Sequence, residues 1–207
     1  MLLFPLAADA GEKIVVGHFS EGELAGWEEK SFDGHTTYEL VDGPQGQVLR
    51  AFTQGQASGL FREIEVDLNR TPWLNWSWKI SRTFDNNNEK NRSGDDYPAR
   101  VYVVVSDGVF FWRTRAVNYV WASHQPQGSQ WSNAYTDNAK MVAVRSGEEK
   151  AGQWLHERRN VREDLKNLFG ETIDTIDAVA VMVDGDNTGQ SAESFFGNIY
   201  FSENQGD

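Results

Sequence analysis

Cysteine is absent from the 207 residues, which excludes a disulfide framework, Cys-ligated zinc, iron–sulfur clusters and a thiol nucleophile together. Basic residues are scarce: 19 Lys and Arg stand against 31 Asp and Glu, a formal net charge of −12. Such a chain is not built to neutralise a phosphate backbone, and no nucleic-acid partner is expected. Long apolar runs are missing too, so no transmembrane segment is expected. The four histidines, His18, His35, His124 and His156, lie singly, without the i, i+2 or i, i+4 spacing of a metal site. There is no Gly-x-Ser-x-Gly elbow, Walker loop or dinucleotide fingerprint. What the chain does have is aromatic surface: 8 Trp, 6 Tyr and 12 Phe, enough apolar area for one core and a single domain.

Residues 1–10, Met-Leu-Leu-Phe-Pro-Leu-Ala-Ala-Asp-Ala, read as the tail of a signal peptide: an apolar stretch closed by Ala8-x-Ala10, without the charged segment that normally precedes it. The alternative is an apolar N-terminal arm. The signal-peptide reading predicts an exported protein, periplasmic or secreted, with residues 11–207 as its single domain.

Short runs of alternating, β-branched and aromatic residues recur every 8 to 15 positions between clusters of Gly, Asn, Asp and Ser. They predict strands at 13–19, 36–41, 48–53, 60–67, 74–81, 99–106, 109–121, 141–144, 154–160, 178–183 and 195–202. The pattern is that of an all-β fold, a two-sheet antiparallel β-sandwich of the jelly-roll kind. Val101, Val103 and Val105 share one face of their strand, and Trp76, Trp78 and Ile80 share one of theirs. One helix is predicted over 161–169, where Val161, Leu165, Leu168 and Phe169 fall on one side. Asn160 is placed to cap it, Glu163 to return the bond and Gly170 to stop it. The polar stretch 83–94 has no large apolar residue after Phe84 and predicts an exposed loop, whereas the irregular region 123–138 carries Trp131 and Tyr135.

Several blocks resemble one bacterial family, domain of unknown function 3047. They are Trp76-Ser-Trp-Lys79, the run from Gly94 to Tyr102, Asn118-Tyr-Val-Trp121, Asn138-Ala-Lys-Met141, Val144-Arg-Ser-Gly147, 152–159, Asp184-Gly-Asp-Asn-Thr-Gly189 and Phe196-Gly-Asn-Ile-Tyr-Phe201. The resemblance implies an exported protein of Gram-negative bacteria and supplies no reaction. The opening segments Phe19-Ser-x-Gly22, Leu24-x-Gly26-Trp27 and Thr37-x-Tyr-x-Leu-Val, with the closing Ile199-Tyr-Phe-Ser, also resemble the galactose-binding-like jelly rolls of carbohydrate-binding modules. That likeness is one of fold, which does not imply function.

Four constellations could carry chemistry. Asp95-Asp96 with Tyr97 and Arg100 stand at the mouth of a strand, where one carboxylate can pair with the arginine while the other faces solvent, a sugar or a metal. A plain turn explains the same letters. Asp184-Gly-Asp-Asn-Thr-Gly189 imitates the first half of a calcium loop, but its twelfth position is Phe195 and no helices flank it. Asp184, Asp186 and Asp95 are the candidate metal ligands, with calcium the only cofactor suggested, and a polar turn is the alternative. Trp112, Tyr119, Trp121, Trp131 and Tyr135 crowd one stretch with Arg113, Arg115 and Asn118, a mixture that suits stacking on sugar C–H faces and bonding of hydroxyls, although aromatics also fill sandwich cores. Arg100, Arg113, Arg115, Arg145, Arg158 and Arg159 either neutralise buried carboxylates or recognise an anionic ligand such as a uronate.

The resulting expectation is a non-catalytic carbohydrate-binding sandwich that calcium could stabilise. Its ligand site comprises Asp96, Arg100, Arg113, Asn118, Trp121, Trp131 and Tyr135, and its partner is a saccharide or polysaccharide. Two alternatives stay open. One is a glycan-active enzyme drawing a carboxylate pair from Asp95, Asp96, Asp184, Asp186, Glu157 and Glu193, or using His156 as a proton carrier. The other is a structural protein that contacts envelope proteins through the aromatic loop.

Overall fold

Alternation builds the sheets. In the strand Trp73–Ile80, Leu74, Trp76, Trp78 and Ile80 are buried in the core, while Trp73, Ser77 and Lys79 stay part-exposed on the other face. The computed structural model describes residues 11–106 and 114–205. In chain order its strands are β1 Lys13–Gly17, β2 Trp27–Asp33, β3 Thr37–Gly43, β4 Gly46–Gln54, β5 Ala57–Asp67, β6 Trp73–Ile80 and β7 Ala99–Val105. They continue with β8 Arg115–Ala122, β9 Gln130–Ser132, β10 Ala139–Ser146 and β11 Leu155–Asn160, then the helix α1 Val161–Phe169, then β12 Thr175–Asp184 and β13 Ser191–Ser202. Short 3-10 turns occupy Phe19–Glu21 and Arg92–Gly94.

The strands form a two-sheet β-sandwich. The six-stranded sheet has the order β11-β6-β13-β4-β3, with β1 pairing β13 beside the end of β4, and the seven-stranded sheet runs β2-β5-β12-β7-β8-β10-β9. One pair departs from the antiparallel rule: β10 lies parallel to β8. A parallel return needs a crossover too long for a hairpin, and residues 123–138 provide it, with β9 folding back antiparallel on β10. No helix among the described residues is long and apolar enough to cross a membrane.

Between the sheets lies a block of aromatic rings. Trp76 and Trp78 of β6 meet edge-to-face at 5.5 Å between centroids, Trp76 stacks on Tyr119 of β8 at 5.4 Å, and Trp78 packs against Trp121 of β8 at 5.9 Å. Three of their four polar atoms are tied within the core, while the Trp76 indole nitrogen is buried without a partner among the described residues. The Trp121 indole donates to the Gly147 carbonyl at 3.0 Å and the Trp78 indole to Glu157 at 3.0 Å. Arg145 then donates two bonds to the same Glu157, at 2.6 and 3.0 Å, pairing β10 with β11 across the two sheets. The Tyr119 hydroxyl donates to Asp164 of α1 at 2.9 Å, and Arg159 reaches the same carboxylate. The helix itself is where its caps place it. The Asn160 side chain accepts the Glu163 amide at 3.1 Å, and Gly170, at φ 77°, closes the last turn onto Lys166.

Two strands had no periodic signal. Strand β2 is exposed at every residue but Trp27, as suits a polar sheet edge, and β9 is three residues long. The first residues of the strand expected at 109–121 lie outside the described residues, and β8 begins at Arg115. The 83–94 stretch corrects the expectation of an exposed loop: Phe84, Asn87 and Glu89 are all buried. The reason is electrostatic. The Glu89 carboxylate accepts the amides of Ser123, His124 and Gln125 and so pins two connections to each other, while burial raises its pKa. Replacing it by Gln turns an N–H₂ toward those N–H donors. Glu89→Gln is expected to cost about 2–3 kcal/mol, or roughly 5–10 °C of melting temperature in a domain of this size, in a thermal unfolding scan. An unchanged midpoint would show that the amides are held by something else.

Candidate functional site

At one end of the sandwich the start of β7 and the end of β12 lie side by side, and the acidic residues singled out in the sequence meet there. Arg100 on β7 grips Asp184, the last residue of β12, through both carboxylate oxygens, the Nε bond being 2.9 Å. Its Nη2 also donates to the Asp95 carbonyl at 2.8 Å, and its guanidinium lies 4.4 Å over the Tyr97 ring. Asp96 accepts the amides of Asn187 at 3.2 Å and Thr188 at 2.6 Å, so the 184–190 turn is folded around a carboxylate. Oxygens of Asp96, Asp184 and Asp186 all lie within 4.8 Å of one another. Asp95 takes a different direction, accepting the Tyr97 hydroxyl at 3.1 Å and the Asn133 amide at 2.7 Å. Burial pushes the Asp184 pKa up against the pull of Arg100, which holds it in its charged form, and burial likewise raises Asp95 and Asp186.

The aromatic platform expected from the sequence is distributed differently. Trp121 is fully buried in the core, and Asn118 is buried on β8. Trp131 is half-buried and stacks on Tyr97 with centroids 6.4 Å apart, its indole nitrogen buried without a partner among the described residues. Tyr135 is 52% exposed, with Arg92 5.0 Å over its ring and its hydroxyl donating to Asn187 at 3.3 Å. Arg113 and Trp112 lie outside the described residues. The corner therefore brings Asp96, Arg100, Asp184, Asp186 and Tyr135 together, but the groups it assembles bond one another.

The open space lies elsewhere. A cavity of about 560 Å³ sits on the outer face of the six-stranded sheet, where β11, β6 and β13 run side by side. Its floor follows from the sheet register. Arg158, Asn75 and Tyr200 lie in one cross-strand row, and His156 and Ser77 in the next, all on the face opposite the buried Trp76 and Trp78. Trp154 stands at one side, with Lys79 5.7 Å over its ring. The opposite wall is the β3–β4 hairpin, Pro44, Gln45 and Gln47, held against Ser20 and Asn198. Two glycines make this shape possible. Gly46, at φ 96°, lets the hairpin lie on the Ser20 carbonyl, which a Cβ would meet at 2.6 Å, and at Gly197 a Cβ would overlap the Ser77 hydroxyl in the floor. Asn198 is fixed by two bonds with Ser20, at 2.9 and 2.8 Å.

Sequence reasoning named His156 and Arg158 without joining them to a site and missed Asn75, Ser77, Tyr200 and Asn198. The signal was present in β6, where Asn75, Ser77 and Lys79 alternate with core tryptophans on a strand flanked on both sides. The arginines divide accordingly. Arg100, Arg115, Arg145 and Arg159 pair with Asp184, Glu171, Glu157 and Asp164, whereas Arg158 pairs with no carboxylate among the described residues.

Comparison with known proteins places the chain in a family. The sequence profile described as "Protein of unknown function (DUF3047)" matches residues 25–200. No curated protein matches the sequence. Among solved structures, the glycoside hydrolase domain of Endo-D from Streptococcus pneumoniae R6 is similar at 13% identity and a TM-score of 0.46, over 87% of this chain and 22% of that one. The CBM22-1 xylan-binding domain of Xyn10C from Paenibacillus barcinonensis is similar at 12% identity and a TM-score of 0.44, over 95% and 98% of the two chains. A lectin from Bauhinia forficata in complex with GalNAc gives 12% identity and a TM-score of 0.44, over 93% and 98%. The chain thus spans about a fifth of the first of these. At such identities and scores the likenesses carry no argument about ligand or chemistry.

The corner makes its own prediction. Arg100→Met leaves Asp184 buried beside Asp96 and Asp186 with its counter-charge removed, and should cost about 3–5 kcal/mol in urea denaturation. A loss below about 1 kcal/mol would mean that the ion pair does not hold β7 to β12.

Proposed function

The chain belongs to the DUF3047 family of unknown function, and we propose that it is an exported, non-catalytic carbohydrate-binding module whose ligand lies on the outer face of the six-stranded sheet. The observation that carries this reading is the cavity, which sets Trp154 and Tyr200 beside Asn75, Ser77, Gln47, His156 and Arg158. A pyranose ring presents an apolar C–H face and a rim of hydroxyls, and a concave site with aromatic rings and a few convergent polar groups matches both. The carboxylates at the sandwich corner are engaged by the protein's own groups, which favours a non-catalytic reading over acid–base chemistry there. Asp95, Asp96 and Asp184 are held by Tyr97 and Asn133, by backbone amides and by Arg100 respectively. Export is supported by the Ala8-x-Ala10 segment.

The loop platform of Trp131 and Tyr135 is the competing location, and one pair of variants separates the two. In a tryptophan-fluorescence titration against a panel of soluble polysaccharides, Trp154→Ala is expected to weaken binding about ten- to thirtyfold, some 1–2 kcal/mol. Trp131→Ala is expected to keep the affinity of the unaltered chain. The opposite assignment of losses would move the site to the loop, and failure of every polysaccharide to bind would reject the reading.

A second proposal concerns calcium as a brace of the corner, favoured by the convergence of Asp96, Asp184 and Asp186. The donor set is all oxygen, which fits a hard cation. One carboxylate already shared with Arg100 places the affinity in the weak class of roughly 10⁻⁴–10⁻³ M. At about ten times Kd, calcium should then add some 1.4 kcal/mol and raise the melting temperature by about 3–5 °C relative to EDTA. The gain should disappear in Asp186→Asn. Identical midpoints in calcium and EDTA would leave Arg100 as the cation that Asp184 binds.

A further inference from the structure

We propose that the cavity selects saccharides bearing an anionic group, a carboxylate or a sulfate, and that Arg158 is the residue that grips it. This inference rests on the carbohydrate-binding reading and adds the ligand's charge. Its basis is the orientation and the isolation of one guanidinium. The Asn75 side chain donates to the Trp73 carbonyl at 2.9 Å and to the Ser202 hydroxyl at 3.0 Å, and its oxygen accepts Arg158 Nε at 2.8 Å. That chain of bonds fixes the plane of the guanidinium from behind. The two terminal nitrogens have no partner among the described residues and form the fork that matches two oxygens of a carboxylate or sulfate.

Charge around the cavity favours the same ligand. Among the described residues Glu157 is the only acidic one lining it, and that carboxylate is buried and doubly bonded by Arg145. His156 lies one cross-strand row from Arg158, and Lys79 is next to Trp154. In a chain of net charge −12, Arg158 thus brings to the cavity a positive charge that no carboxylate among the described residues neutralises. A part-exposed cationic site raises the local concentration of anionic ligands and is screened by salt.

The test compares three probes on the full chain by isothermal titration calorimetry at low and at physiological salt. They are an oligogalacturonate, its fully methyl-esterified counterpart, which is neutral and nearly isosteric, and a sulfated galactan oligosaccharide of similar length. The expected result is that one anionic probe binds at least tenfold tighter than the ester, with the advantage shrinking as salt rises. Whichever of the two binds more tightly identifies the anionic group. Arg158→Met should bring that probe to within about twofold of the ester while the chain stays folded by circular dichroism, with at most a modest fall in melting temperature from the Asn75 oxygen that loses its donor. Arg158→Lys, which keeps the charge and loses the fork, should fall between. Equal binding of anionic and neutral probes overturns the inference and leaves the carbohydrate reading standing. A preference that survives in Arg158→Met overturns the assignment to this residue. Failure of these probes together with the whole polysaccharide panel rejects the carbohydrate reading, and this inference with it.

Discussion

The ring block formed by Trp76, Trp78, Tyr119 and Trp121 is the contact on which the rest of the molecule depends. It joins β6 of one sheet to β8 of the other through aromatic contacts of 5.4 to 5.9 Å. Large rings supply much apolar area to a core, and a core packed at crystal-like density leaves them little room to shift. Indole and phenol also carry polar atoms, and three of the four find partners: Gly147, Glu157 and Asp164. Those bonds reach the residue that follows β10, then β11 and α1, so the block orients the elements around it as well as filling the space between the sheets.

A consequence follows from the two-residue period of a strand. When Trp76 and Trp78 are fixed inward, Asn75, Ser77 and Lys79 are fixed outward, and the register with β11 and β13 aligns them with His156, Arg158 and Tyr200. The core thus positions the candidate site without touching its ligand. Glu157 shows the same logic on the next strand: it turns inward to Arg145 and Trp78, while its neighbours His156 and Arg158 face the cavity. A site carried on three paired strands is held more rigidly than one carried on loops.

The acidic corner plays a different part. Asp96 folds the 184–190 turn onto itself, Arg100 ties Asp184 to β7, and Glu89 gathers the amides that open the 123–138 crossover. These connections run over one end of the sandwich, where backbone groups lose their ladder partners and carboxylates take their place. Their residue types are those of a binding site, because both kinds of site need charged groups at fixed positions. What distinguishes them is whether the groups point at one another or at open space, and here they point at one another.

The sequence by itself determined the fold class, most strands, the helix with both caps and the core faces of β6 and β7. Each of these is a local or periodic property that a single segment expresses. Residues 161–169 show this most directly, since Asn160, Leu165 and Gly170 act within about three turns of each other. It also singled out Asp96 and Arg100 for a ligand and Asp184, Asp186 and Asp95 for a metal, but not that Asp96, Arg100, Asp184 and Asp186 share one corner. It did not separate the buried Trp121 from the exposed Tyr135, because an aromatic reads alike whether a second sheet covers it or not. Nor did it show the parallel pairing of β10 with β8, which depends on where a 16-residue crossover lands. The cavity was out of its reach for the same reason. Asn75, Arg158, Tyr200 and Gln47 come from four strands far apart in the chain, and only the lateral pairing of those strands makes them neighbours.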